Sequence, residues 1–89
     1  MTFLIVKHKV KDFNKWLSVF NSHAEAQLEA GFRDPQILRD YKDPNIVVCF
    51  FKVTDIMKAR AFTQAPDVGG VMEQAGVIGI PEGIWLDEI

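Results

Sequence analysis

The fold of this chain is decided by the stretch Ile46-Val-Val-Cys-Phe-Phe-Lys-Val53. Its apolar residues fall at odd and even positions alike, which is typical of a β-strand buried on both faces. Phe3-Leu-Ile-Val6 has the same character. Two further β-rich segments, Gln36 to Tyr41 and Gly83 to Asp87, include charged residues and therefore fit the edges of a sheet. The sequence predicts a sheet whose first and third strands are central.

Helical segments follow the first and the third of these strands. From Phe13 to Leu28 the apolar residues step by three and four, with Asp12 placed as the N-cap and Gly31 as the stop. A single helix of about 18 residues is expected there. Thr54 is predicted to cap a second helix, and Pro66 to open a further helical turn.

The resulting βαββαβ plan predicts a ferredoxin-like α+β fold in a single domain, residues 1–89, with the turn Lys42-Asp-Pro-Asn45 closing a hairpin. Helices can cover only one face of its four-stranded antiparallel sheet. The other face would expose a large apolar surface, which soluble monomers rarely tolerate. A homodimer packed sheet against sheet is therefore expected, since two-fold dimers are the commonest oligomers.

Composition argues against several classes of partner. Ten basic and twelve acidic residues give a net charge of −2, which provides no basic surface for nucleic acid and no polybasic patch for a membrane. No apolar run is long enough for a signal-peptide core or a membrane span, so a cytoplasmic protein is expected. Cys49, the only cysteine, lies in an apolar strand and is expected to be a small buried side chain rather than a nucleophile.

Strong catalytic motifs are missing, which leaves the two histidines as the most informative residues. Neither has ligand-spaced partners, so no metal or cofactor is expected. His23, on the inward stripe of the first helix, is either a side chain satisfied by a carbonyl or an acid–base group. His8, among lysines at the end of the first strand, is expected to be structural or to hold an anion near a helix N-terminus. About 16 Å should separate the two along the helix axis, too far for a pair.

The expected topology also predicts the neighbours of His23. It places Arg39, Tyr41 and Trp85 within reach, together with Phe62 from the second helix. An apolar cleft with a histidine, a tyrosine and a tryptophan suits a small aromatic ligand. The alternative is that the aromatic residues of this region simply form the core: Trp16, Phe20, Phe62 and Trp85.

Motifs that carry a family resemblance are spread over nearly the whole chain: His8-Lys-Val-Lys-Asp-Phe-Asn-Lys-Trp16, Phe20-Asn-Ser-His23, Asp43-Pro-Asn45, Ala59-Arg-Ala-Phe62, Ala65-Pro-Asp67, Met72-Glu-Gln-Ala-Gly-Val77 and Gly79-Ile-Pro81. The chain resembles the dimeric α+β barrel superfamily, the antibiotic-biosynthesis-monooxygenase-like group, and most of all its short stand-alone members labelled cyclase. The resemblance implies a cleft between sheet and helices in each subunit. It also implies oxidation or cyclisation of aromatic polyketides, or breakdown of haem or muconolactone-like acids, in several branches without metal or flavin.

Individual residues of this chain match the subgroup at some positions and depart from the haem-degrading branch at others. His8, Trp16 and His23 match recurring positions of the subgroup. The Asn/Trp/His arrangement of the haem-degrading branch is not matched, because Asn14 and Trp16 are two apart on a helix and project differently. This departure argues against haem as the ligand.

Competing hypotheses of function follow. In the first, the chain is a cofactor-independent monooxygenase or cyclase for a small aromatic or cyclic acid, in which His23 transfers a proton and Tyr41 or Arg39 stabilises developing negative charge. The residues expected to bind the ligand are His8, Trp16, Phe20, Phe62 and Trp85. In the second, the chain is a non-enzymatic ligand-binding or stress-related dimer whose histidines are structural. A module that binds a protein partner would need a second exposed apolar patch, which the sequence does not indicate.

Overall fold

Four strands and four helices make up the computed structural model, which describes residues 1–89. The elements follow the chain as β1 (Thr2–Val10), α1 (Phe13–Ser22), α2 (Ala24–Glu29), β2 (Phe32–Arg39), β3 (Ile46–Val53), α3 (Ile56–Gln64), α4 (Pro66–Gln74) and β4 (Val77–Asp87). The predicted ferredoxin-like plan is confirmed, with each of its two helical segments divided into two helices.

The sheet is antiparallel throughout and has the order β2-β3-β1-β4, so the two strands predicted to be central are central. Across its middle, Ile5 of β1 pairs with Phe50 of β3 on one side and with Ile84 of β4 on the other. The last strand is longer than predicted because β4 continues past an irregularity in register opposite Lys7 to Lys9 of β1.

The first helical segment is interrupted at His23, where a single helix was predicted. In a continuous helix the His23 N–H would donate to the Val19 carbonyl four residues earlier. Instead the Ser22 hydroxyl donates to that carbonyl at 2.6 Å, and the His23 N–H donates to Phe20 at 3.1 Å. The His23 backbone accordingly leaves helical geometry, with φ −106° and ψ 13°. A serine that competes for a backbone carbonyl therefore ends α1.

Of the two predicted helix caps, Asp12 is confirmed and Thr54 is wrong by one residue. The Asp12 carboxylate accepts from the Asn14 N–H at 3.0 Å, which confirms the predicted cap of α1. The cap of α3 is Asp55, whose carboxylate accepts from the N–H groups of Met57 and Lys58, both at 3.1 Å. The predicted cap, Thr54, instead donates its hydroxyl to the Gly31 carbonyl at 3.1 Å, joining β3 to the end of α2.

All four helices cover the same face of the sheet, here called the helix face, and the core lies between them. Even-numbered residues of β1 point into it, among them Leu4 and Val10, which are 2% and 1% exposed. The facing residues of β3 are equally buried: Val47, Cys49, Phe51 and Val53. From the helices Trp16 and Ala59 complete this layer at 4% and 0% exposure. The core is therefore one layer thick and belongs to one face.

The other side of the sheet, here called the open face, carries no helix. Its central residues are half-buried and apolar, and Phe3 stacks on Phe50 with ring centroids 5.4 Å apart. Towards the edge strands the apolar side chains become more exposed, reaching 53% for Leu38 and 55% for Ile84.

Candidate functional site

A cleft of about 430 Å³ opens between the helices and the helix face of the sheet. Its volume lies within the roughly 300–1,000 Å³ typical of small-molecule sites. Fifteen of its twenty lining residues are hydrophobic. The sheet contributes Leu4, Val6, His8, Phe32, Cys49, Phe51 and Val77, and the helical segments contribute the remainder. A site of this size and character suits a molecule that is mostly apolar.

One wall of the cleft is a continuous series of aromatic rings. Trp16 and Phe20, one turn apart on α1, stack with centroids 5.0 Å apart. Phe20 then stacks on Phe51 at 6.0 Å, and Phe51 meets Phe32 at 5.0 Å. Phe32 is in edge contact with Phe62 of α3 at 5.8 Å. Three residues predicted to bind the ligand, Trp16, Phe20 and Phe62, thus lie together in the wall and also pack against the core.

His23 lines the cleft at the junction of α1 and α2, and its hydrogen bonds define its tautomer. Nδ1 lies 3.0 Å from the Val19 carbonyl, which can only accept, so Nδ1 carries the hydrogen. The Ser22 hydroxyl, also 3.0 Å from Nδ1, gives its own hydrogen to the same carbonyl and so acts as a further acceptor. In the neutral imidazole Nε2 therefore bears the lone pair. No protein hydrogen bond occupies it, which leaves a base available to a ligand.

His8 lines the same cleft from the central strand β1, in a very different setting. It is 8% exposed, and neither of its ring nitrogens has a hydrogen-bond partner. Its ring lies against Trp16, with centroids 5.3 Å apart. Burial lowers the pKa of His8 below its usual 6.5, because the charged form is poorly solvated there. No hydrogen bond joins the two histidines, but the cleft brings both to one cavity.

Three further polar residues line the cleft, all on the helices. Gln27 of α2 is half-buried, whereas Thr63 of α3 and Asp67 of α4 are exposed. No lysine or arginine is among the lining residues. No three His, Cys, Asp or Glu side chains come together in a group that could bind a metal ion. From the sequence, Asp67 was named only within the motif Ala65-Pro-Asp67, and neither Gln27 nor Thr63 was singled out.

Arg39 and Tyr41 do not reach the cleft, contrary to the expected neighbourhood of His23. In the antiparallel sheet Arg39 pairs with Val47, which in turn pairs with His8, so the end of β2 lies beside the end of β1. The sequence-based prediction had instead brought Arg39 within reach of His23. The Arg39 guanidinium lies 4.2 Å from the ring centroid of Phe13, and Tyr41 beyond it is 99% exposed.

Trp85 is also separate from the cleft. It pairs with Leu4 and lies on the helix face of the edge strand β4. There it lines a second groove with Ile56 and Arg60 of α3 and with the end of β4. This groove lacks the aromatic wall and both histidines.

Cys49 lies at the sheet side of the cleft and is chemically quiet. It is 2% exposed, and burial raises the pKa of its thiol to about 12. Because only the thiolate is a good nucleophile, the interpretation of Cys49 as a small buried side chain agrees with its environment.

Comparison with known proteins tests the fold rather than the chemistry. No known protein-family profile matches the sequence, and no curated protein matches it. A crystal structure of an antibiotic biosynthesis monooxygenase superposes with a TM-score of 0.73 at 14% identity, covering 100% of this chain and 99% of that one. SnoaB, a cofactor-independent oxygenase from Streptomyces nogalater, gives 0.76 at 18% identity, covering 99% and 92%. A conserved protein from Methanosarcina mazei gives 0.76 at 13%, with the same coverage.

The chain has the antibiotic biosynthesis monooxygenase fold. The resemblance drawn from the sequence motifs is thereby confirmed at the level of the fold, over the full length of the chain. None of the four helices has the length and apolar character that crossing a bilayer requires.

Proposed function

We propose that this protein is a cofactor-independent monooxygenase that oxidises a small aromatic molecule in the cleft, with His23 as the base. The observation that carries the proposal is the position of His23 in the lining of a cleft with an aromatic wall, with Nδ1 held by the Val19 carbonyl and Nε2 free of protein hydrogen bonds. A base within an apolar cavity acts on a bound substrate without competition from water. The shared fold supports this reading, since SnoaB is described as a cofactor-independent oxygenase.

Oxidation without a cofactor requires a substrate that supplies the electrons itself. An aromatic compound with an activated CH₂ group meets this need. His23 Nε2 removes one proton, and the carbanion, delocalised over the rings, reacts with O₂ to form a C–O bond and a peroxide anion. The protonated His23 returns its proton to the peroxide. The hydroperoxide then eliminates water, which contains its outer oxygen and the second hydrogen of the CH₂ group, and a carbonyl remains. Overall, CH₂ and O₂ become C=O and H₂O.

The aromatic wall has a defined part in this scheme. Trp16, Phe20 and Phe62 hold a flat substrate by stacking and exclude water from the reactive carbanion. Arg39 and Tyr41 lie outside the cleft and are therefore left out of the proposed machinery. Trp85 is left out for the same reason.

We further propose that the active species is a homodimer joined through the open face. The support is the apolar surface formed by the stacked Phe3 and Phe50 together with the exposed Leu38 and Ile84. Soluble monomers rarely expose a contiguous apolar surface of this kind. Light scattering of the wild-type protein at micromolar concentration should give twice the chain mass. A monomeric mass would contradict the dimer and leave the cleft proposal intact.

Oxidation of anthrone, whose CH₂ group is activated by two aryl rings and a ketone, tests the proposed reaction. The wild-type protein should raise the rate of O₂ uptake and of anthraquinone formation above the rate in buffer, with one O₂ consumed per quinone. The His23→Ala variant should lose about a hundredfold or more of this acceleration. Asn21→Ala, at an exposed position of α1 two residues before His23 and outside the cleft, should keep it.

Other outcomes of this assay separate the alternatives. Binding of anthrone without O₂ uptake would favour the non-enzymatic ligand-binding dimer. A ring-closing reaction at His23, as in a cyclase, would convert its substrate without consuming O₂. Equal acceleration by the wild-type protein and the His23→Ala variant would overturn the role of His23 as the base.

A further inference from the structure

His8 is the only polar side chain that the sheet contributes to the cleft. The other lining residues from the four strands are apolar: Leu4, Val6, Phe32, Cys49, Phe51 and Val77. More than nine-tenths of His8 is buried, and both Nδ1 and Nε2 are without a partner. The remaining polar groups of the cleft, including His23 and Gln27, all come from the helices opposite.

An imidazole to which the protein offers no hydrogen-bond partner is costly in this position. Buried nitrogens without partners destabilise a fold, and such groups are rare enough that each calls for an explanation. A leucine or phenylalanine would pack against Trp16 without that penalty. A ligand that contacts the imidazole, by displacing a lining side chain that covers it, would supply the missing partner.

The chemistry of a neutral imidazole defines the group that fits it. One ring nitrogen donates a hydrogen bond and the other accepts one, and a hydroxyl group can do either. The neutral form is favoured at His8 because burial lowers its pKa. A carboxylate can only accept, and its charge would be desolvated in a cleft without lysine or arginine. The only carboxylate that lines the cleft, Asp67, would repel it.

We infer that His8 binds a hydroxyl group of the ligand at the sheet side of the cleft and so selects neutral hydroxylated aromatics over aromatic carboxylates. The inference rests on the proposed function in that it takes this cleft as the ligand site. It departs from the sequence-based expectation of a small aromatic or cyclic acid. It also gives the ligand two polar ends, one at His8 and one at the helices, with an apolar middle against the aromatic wall.

Calorimetric titration of the wild-type protein with three ligands of one shape tests the selectivity at neutral pH. The probes are 2-naphthol, naphthalene and 2-naphthoate. We expect 2-naphthol to bind about fivefold to tenfold more tightly than naphthalene. It should bind at least about tenfold more tightly than 2-naphthoate. Equal affinities for 2-naphthol and naphthalene, or a preference for 2-naphthoate, would overturn the inference.

Two variants assign the hydroxyl contact to a residue. His8→Phe keeps a ring against Trp16 but has no nitrogen, and His8→Leu serves if the larger ring disturbs folding. Both should bind 2-naphthol and naphthalene equally. His23→Phe is the matched comparison, because it removes the other imidazole of the same cleft. Selectivity that is lost in His23→Phe and kept in the His8 variants would place the hydroxyl at the helices and overturn the inference.

A spectroscopic measurement distinguishes contact from a merely structural role. In ¹⁵N-labelled protein the imidazole nitrogens of His8 should shift on addition of 2-naphthol and remain unshifted with naphthalene. These binding experiments are independent of turnover. Selective binding without anthrone oxidation would keep the role of His8 and refute the monooxygenase, whereas oxidation with unselective binding would do the reverse.

Discussion

The two faces of the sheet differ strongly in burial, although the central strands carry apolar residues on both. On β3, Val48 and Cys49 are neighbours in sequence, yet Val48 lies on the open face and Cys49 is 2% exposed under the helices. The helix face contains the cleft and includes a buried histidine. The open face has an apolar centre bordered by charged residues such as Lys7 and Lys52. An apolar strand pattern therefore identifies buried faces without saying whether a face serves a ligand or another protein surface.

The amount of burial explains why both faces matter to this chain. Only 13 of 89 residues are buried, so the core on the helix face is small. Domains of this size bury a lower fraction of their surface than larger ones, and further burial stabilises them. The helix face has part of its area open as a cleft. The open face is therefore the surface on which association can add the most stability.

The largest expected effect concerns the open face. Phe50→Asp places a carboxylate on each side of the proposed two-fold interface, at the apolar centre of the open face beside Phe3. Because each buried unpaired charge costs several kcal/mol, the dissociation constant should rise by roughly three orders of magnitude or more. Light scattering should then report a single chain at micromolar concentration, with far-UV circular dichroism unchanged. Tyr41→Asp, at a 99% exposed position of the β2–β3 turn, should remain dimeric.

The next effect concerns the helix face and does not depend on association. Trp16→Ala removes a 4% exposed ring that contacts His8, Phe13 and Phe20. The free energy of unfolding in urea should fall by about 3–5 kcal/mol. The loss should be the same at every protein concentration, whereas a loss caused by Phe50→Asp should grow with concentration. Met57→Ala, at an 80% exposed position, should change stability by no more than about 0.5 kcal/mol.

A smaller effect should appear in the pH dependence of stability. The pKa of His8 in the folded protein lies below its unfolded value of 6.5, so the unfolded chain takes up the proton more readily. The free energy of unfolding should therefore decrease as the pH falls below 6.5, and the contribution of His8 should be complete above it. Comparing urea unfolding of wild-type protein and His8→Phe isolates this part, because all other groups titrate in both. Parallel curves would show that His8 is not responsible.

The smallest expected effect concerns the Cys49 thiol, which should not react in the folded protein. With a thiol pKa of about 12, Cys49 is about one part in ten thousand thiolate at about pH 8, and it is buried as well. Thiol reagents should label it only after unfolding. Because Cys49 should not react in the folded protein, thiol labelling of a Val48→Cys variant would report on the open face alone. The new thiol should react readily in the Phe50→Asp background and slowly in the otherwise wild-type dimer, and equal rates would argue against an interface there.

Much of the fold could be predicted because the side-chain period of a strand directly reports its faces. The pattern of Phe3 to Val6 and of Ile46 to Val53 was sufficient to place β1 and β3 at the centre. The break at His23 could not be predicted in this way, since Phe20, Ala24 and Leu28 continue the helical period across it. The break depends on a local competition by Ser22 that leaves the apolar pattern unchanged.

The candidate site was predictable in part. Trp16 and Phe20 are in the cleft because helical periodicity identified their face. Arg39 was misplaced although the predicted antiparallel order, with a hairpin joining β2 to β3, already puts the end of β2 beside the end of β1. His8 was expected to be structural or to hold an anion because lysines adjoin it. Its even-numbered position, shared with Leu4, indicated that its side chain lies on the helix face. For His8, position in the strand was a better guide than local charge.

The interruption of the first helical segment makes Val19-Phe-Asn-Ser-His23 a self-sufficient unit. Within these five residues α1 ends, and the Val19 carbonyl no longer accepts from a backbone N–H. It accepts from His23 Nδ1 instead, which fixes the tautomer of the imidazole. No residue from elsewhere in the chain takes part in these bonds. The same pentapeptide at the end of another amphipathic helix would present a histidine of the same tautomer, which makes it a portable element for the design of bases in new scaffolds.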